Sequence, residues 1–242
     1  MSNQDMSLFD HLEELRWRIL KSLASIIIMS ILTFNFANYL VEILIKPATQ
    51  INSDLNLQVL TIQGMFLLKW NLSIICGIIL SLPVITVQVW KFLSPGLYNK
   101  EKKILVPLIL TAFICFMLGG IFSYKVILPF SLDFFASMIT ADIQNNFSIN
   151  YYFSFVLTLM IGAGFIFELP VASFLFSSIG IINPEFLRTY RREAIAVTII
   201  LSAIITPPDP ISLIIMSIPI LVLYEISIAV SWFANKLFDN EI

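Results

Sequence analysis

The chain has 242 residues, of which 58% are hydrophobic and only 12% charged, and its mean hydropathy is +0.91. That balance excludes an ordinary soluble domain and defines an all-α polytopic membrane protein, read as a single membrane domain over 1–242. The formal net charge of −2 excludes nothing, because the placement of Lys and Arg, not their sum, orients a membrane protein.

The segment SLFDHLEELRWR at 7–18 opens with Ser7 and Asp10 as a helix cap and sets Leu8, Leu12, Leu15 and Ile19 on one stripe. This predicts an amphipathic surface helix within 1–18. Glu14 and Arg18 stand four apart, the spacing of a helix-stabilising ion pair. The segment is acidic as well as basic and is followed by a run long enough to span. It therefore reads as the lead into a retained first span, 19–41, and not as a cleavable signal. Residues 40–68, with Pro47, Asn52, Asp54, Asn56 and Gly64, are too polar to span and predict a loop packed on the far face, with Pro47 at a turn. The second span, 66–90, carries Pro83.

FLSPGLYNKEKK follows at 92–103. Ser94, Pro95 and Gly96 stop the preceding helix, and Glu101 sits alone among Lys100, Lys102 and Lys103. Two readings stand: a loop whose lysines set orientation, or an acid that recognises something cationic. A third span, 104–124, contains Gly119 and Gly120, which permit close helix contact. Residues 125–152 form a second long loop, and the fourth span, 152–178, holds Glu168 and Pro170. An ionisable group that deep costs about 3 kcal/mol on insertion scales, so function is the default reading, against a carboxyl that merely steadies the kink at Pro170. After a turn at 180–184, Arg188, Arg191, Arg192 and Glu193 precede a fifth run, 194–206, well short of the roughly 20 residues of a full crossing. TPPDP at 206–210 predicts a rigid turn through Pro207, Pro208 and Asp209. The sixth span, 211–233, contains Glu225, for which helix packing, a basic partner and a functional role are all open.

Of 14 basic residues, all but Lys46, Lys69 and Lys125 fall on the side of the N-terminus, which places both termini and the Glu101 loop in the cytoplasm. Cys76 and Cys115 lie inside apolar spans, where packing is the expected role. His11 is the only histidine, so no metal-ligand spacing arises, and no cofactor loop or catalytic motif is present. An enzyme is not expected, nor is a nucleic-acid partner.

HLEELRWRIL at 11–20, SPGLYNKEKK at 94–103, FELP at 167–170, RTYRRE at 188–193, TPPDP at 206–210 and IPILVLYEISI at 218–228 occur in the order and spacing of the TatC family. The chain resembles that family, the receptor subunit of the twin-arginine protein translocase, over nearly its whole length. The resemblance implies six transmembrane helices in a concave bundle with short fifth and sixth helices. It implies recognition of twin-arginine signal peptides on folded precursors by Glu14 and Glu101, with Arg16 in the adjoining basic position. A planar guanidinium matches a carboxylate fork, so two arginines ask for two acids. It further implies TatA-type and TatB-type single-span partners, with Glu168 facing the side where they assemble, and a homo-oligomer within the receptor complex. Transport would draw on the proton-motive force. The membrane would be the bacterial inner membrane or, alternatively, a plastid thylakoid or mitochondrial inner membrane. Where the family often has a glutamine after TPPDP, this chain reads Ile211, Ser212, Leu213, so a polar contact to a partner is either absent or taken by Ser212. Two rivals predict otherwise: a small proton-coupled secondary transporter with Glu168 and Glu225 as a relay, and a structural scaffold.

Overall fold

The computed structural model describes residues 8–51, 56–93, 105–138, 146–206 and 210–238. No glycine or proline interrupts the chain between Leu8 and Phe34, and α1 (Leu8–Phe34) runs unbroken from the acidic segment through the first apolar run. The surface helix and the first span expected as separate elements are, over their described part, one helix.

The chain turns at Asn35 and Phe36 and enters α2 (Ala37–Ile51). This helix occupies part of the stretch expected as a loop, and Pro47 lies inside it, not at a turn. A proline in a helix interior leaves the carbonyl four residues back without its N–H donor. Here that carbonyl is Ile43 O, and the Tyr124 hydroxyl donates to it at 2.7 Å. Tyr152 donates in the same way to Leu44 O, at 2.7 Å. Two tyrosines therefore stabilise a helix that its own sequence weakens.

After β1 (Asn56–Gln58) comes α3 (Gly64–Leu93), with Pro83 inside it. α4 (Leu105–Phe122) continues through a π-helical segment, Ser123–Ile127, into α5 (Leu128–Ser137). β2 (Asn146–Ser148) pairs in parallel with β1, Leu57 opposite Phe147. α6 (Ile149–Phe167) and α7 (Leu169–Ser178) are separated at Glu168, and Pro170 sits in the first turn of α7, where its missing N–H costs little. α8 (Pro184–Thr189) is capped by Asn183, whose side chain accepts from Phe186 N at 2.7 Å. α9 (Arg191–Ile205) and α10 (Pro210–Phe238) complete the described chain.

Among the described residues, five stretches are long and apolar enough to cross a membrane: His11–Phe34, Gly64–Val89, Pro107–Ser137, Ile149–Ser178 and Pro210–Leu237. α9, at 15 residues, reaches only about 22 Å against a hydrocarbon core of about 30 Å.

The chain divides into two compact units, Met1–Leu40 with Phe66–Phe113, and Val41–Met65 with Ile114–Ile242. In the first, α1 and α3 approach so closely at Gly77 that a Cβ there would stand 2.7 Å from Ser30 N, and Thr33 Oγ1 donates to Ser73 O at 2.9 Å. In the second, α7 and α10 are joined by small polar side chains: Ser173 Oγ donates to Ser227 O at 2.9 Å and Ser177 Oγ to Ser231 Oγ at 2.7 Å. Ser131, Ser202, Ser212 and Ser231 are fully buried, whereas Ile27, Ile31, Leu110 and Phe165 are more than half exposed. Small polar residues inside and large apolar ones outside is the arrangement of helices solvated by lipid, where serine lets backbones approach and satisfies itself across the contact.

Candidate functional site

The N-terminal turns of α1 and the last turn of α3 meet. The His11 ring stacks on Phe92 with centroids 4.3 Å apart and planes 19° apart. One turn on, Arg18 Nε donates to Glu14 Oε1 at 3.1 Å, and Arg18 Nη2 bonds the same oxygen. The same Nη2 donates to Lys91 O at 2.9 Å. Lys91 is in the final turn of α3, where main-chain carbonyls have no intrahelical donor. A single guanidinium thus ties the Glu14 carboxylate to the end of α3.

Glu14 Oε2 is buried and, among the described residues, has no hydrogen-bond partner. His11 Nδ1 is 3.9 Å from it, beyond hydrogen-bond distance. A carboxylate with one oxygen paired and the other orphaned is an unsatisfied acceptor, and that is what a cationic ligand can complete.

The other expected site residues are placed as follows. Arg16 is exposed and lies about 200° round α1 from Glu14, so the helix does not bring these two side chains together. Glu168 stands at the junction of α6 and α7, half-buried, its carboxyl making no hydrogen bond or ion pair with a described residue. Glu225 accepts from Arg191 Nη2 at 2.8 Å, both side chains about half exposed. Of the roles open to it, the partner for a basic segment is the one the geometry carries. Ser212 turns inward: it is fully buried and its hydroxyl bonds Ser131 Oγ. Of the two alternatives for a polar contact to a partner, absent or taken by Ser212, a hydroxyl with no exposed surface favours the first. Glu101, Pro95, Gly96, Pro207, Pro208 and Asp209 lie outside the described residues.

The i,i+4 spacing announces the Glu14–Arg18 pair in the sequence. The contacts of Arg18 with Lys91 O and of His11 with Phe92 leave no local signal, since both join residues far apart in the chain. Among the described residues no group of three or more His, Cys, Asp or Glu could hold a metal.

Membrane-length helices with buried serines, and a charged cluster where two helix ends meet, define a multi-pass helical membrane protein. The chain belongs to the TatC family: the family model described as Sec-independent protein translocase protein (TatC) matches residues 10–219. It is 35% identical over 233 residues to the Sec-independent protein translocase protein TatC of Aquifex aeolicus, covering 96% of this chain and 97% of the relative. It is 37% identical over 251 residues to the protein of the same name from Carboxydothermus hydrogenoformans, covering 100% and 99%. A crystal structure described as the twin arginine translocase receptor TatC superposes with a TM-score of 0.80 at 35% identity, covering 93% of this chain and 99% of that one. The protein is accordingly a multi-pass membrane component of a translocase and not an enzyme. Family membership displaces the transporter and scaffold readings.

Proposed function

We propose that this protein is the receptor subunit of a bacterial twin-arginine translocase, binding the paired arginines of signal peptides through Glu14 and Glu101. The observation that carries this reading is the orphaned Glu14 Oε2 beside the end of α3. Glu101 follows the end of α3 at Leu93 by eight residues in the sequence. Similarity to a solved structure described as a twin arginine translocase receptor supports the same assignment.

In this reading the chain crosses the membrane six times, α9 being a short crossing, and both termini and the Glu101 loop face the cytoplasm. Recognition needs no bond making. Two carboxylates fix two guanidinium groups, and Lys100, Lys102 and Lys103 repel cations that fail to engage both acids. TatA-type and TatB-type single-span subunits assemble on the bundle, Glu168 offering them a polar group at membrane depth, and a proton-motive force drives passage of the folded cargo.

A photocrosslinker in the 94–104 loop tests the site. It should label a twin-arginine precursor in membranes, and Glu14→Ala or Glu101→Ala should each abolish labelling while the protein still inserts. Undiminished labelling of both variants would remove the two acids from the site.

A further inference from the structure

We propose, resting on the twin-arginine reading of Glu14, that Arg18 is a positioning residue of the signal-peptide site, one that orients the Glu14 carboxylate and thereby sets the preference for arginine over lysine. Arg18 makes three contacts from one planar group: Nε and Nη2 to Glu14 Oε1, and Nη2 to Lys91 O. The first two hold one oxygen only. The third anchors the pair to the last turn of α3, a separate helix, so the carboxylate cannot rotate freely about its own side chain.

The outcome is a single acceptor, Oε2, fixed in direction and without a hydrogen-bond partner among the described residues. A fixed acceptor favours a ligand whose donors are themselves rigidly disposed, which is the guanidinium. An ammonium with three rotatable donors gains nothing from the fixity and is served as well by a carboxylate that turns. Arg18 also neutralises much of the Glu14 charge. His11, stacked on Phe92, stands 3.9 Å from Oε2.

The test uses the full-length protein in detergent and fluorescent signal peptides carrying Arg-Arg or Lys-Lys. Arg18→Gln should weaken Arg-Arg binding about tenfold and reduce the Arg-Arg to Lys-Lys affinity ratio by a similar factor. Arg18→Lys, which reaches Glu14 but cannot serve both acceptors from one plane, should restore part of the affinity and little of the ratio. Binding by Arg18→Gln equal to or tighter than the unaltered protein overturns the proposal, tighter binding meaning that Arg18 competes with the ligand. Weaker binding with an unchanged ratio also overturns it, since that is the mark of mere fold support. Glu14→Ala is the control: if it binds normally, the twin-arginine reading of Glu14 fails, whereas if it loses binding and Arg18→Gln does not, only the role of Arg18 fails.

Discussion

Ser131 on α5 and Ser212 on α10 meet hydroxyl to hydroxyl across 81 positions of sequence, and neither exposes any surface. Ser131 Oγ also donates to Ile127 O at 2.9 Å. Removing one hydroxyl leaves the other with a lost partner in a place water does not reach. Ser131→Ala and Ser212→Ala should each destabilise the protein by about 1 kcal/mol, the range of buried hydrogen bonds between membrane helices. The double variant should cost less than the sum, and denaturant unfolding in detergent measures this coupling. Strict additivity would mean that the contact contributes nothing.

A stronger coupling is expected at Tyr124 and Pro47. Tyr124→Phe orphans the Ile43 carbonyl and should cost about 1–3 kcal/mol. In a Pro47→Ala background the helix regains its own N–H donor at that position, and the same Tyr124→Phe change should cost under about 1 kcal/mol. Equal costs in the two backgrounds would show that the tyrosine does not act through the proline's missing donor.

Two adjacent glycines should behave oppositely. A Cβ at Gly119 would stand 2.5 Å from Ala163 O, a main-chain atom that cannot swing aside. Gly119→Ala should therefore push α4 off α6 and destabilise by about 1–3 kcal/mol. A Cβ at Gly120 meets only Met160 Cε at 3.9 Å. Gly120→Ala should be neutral or, through helix propensity, stabilising by up to about 1 kcal/mol. Thermal unfolding of the two variants side by side gives the comparison.

Glu168 is expected to act in assembly and not in precursor binding, because its carboxyl stands at the break in a membrane-spanning stretch without a partner among the described residues. Glu168→Ala should leave signal-peptide affinity within about twofold of the unaltered protein. It should reduce co-purification of a TatB-type partner and lower export. Normal co-purification together with normal export would assign the carboxyl to the kink alone.

The membrane class, the five long apolar stretches and the shortness of α9 are legible from hydropathy and length, since lipid imposes both on any spanning helix. Gly119 is legible as a close-contact position too, though nothing local separates it from Gly120. What hydropathy misses is structure rescued from a distance. Pro47 in a polar stretch reads as a turn because its effect on the backbone is local, whereas the tyrosine hydroxyls that repair the helix come from 81 and 108 positions away from their acceptors. The site divides on the same line. Glu14 with Arg18 is announced by its spacing, but Lys91 O lies 73 positions from Arg18. Ser212 shows the converse, a polar residue whose sequence neighbours give no hint that it faces inward.

The unbroken course of α1 has a mechanical consequence. Its 27 residues make a rod of about 40 Å, with Glu14 near one end and Thr33, tied to Ser73 O, near the other. With no glycine or proline to act as a hinge, a force applied at the Glu14 end is carried along the helix axis toward the Thr33 end instead of being absorbed in a local bend.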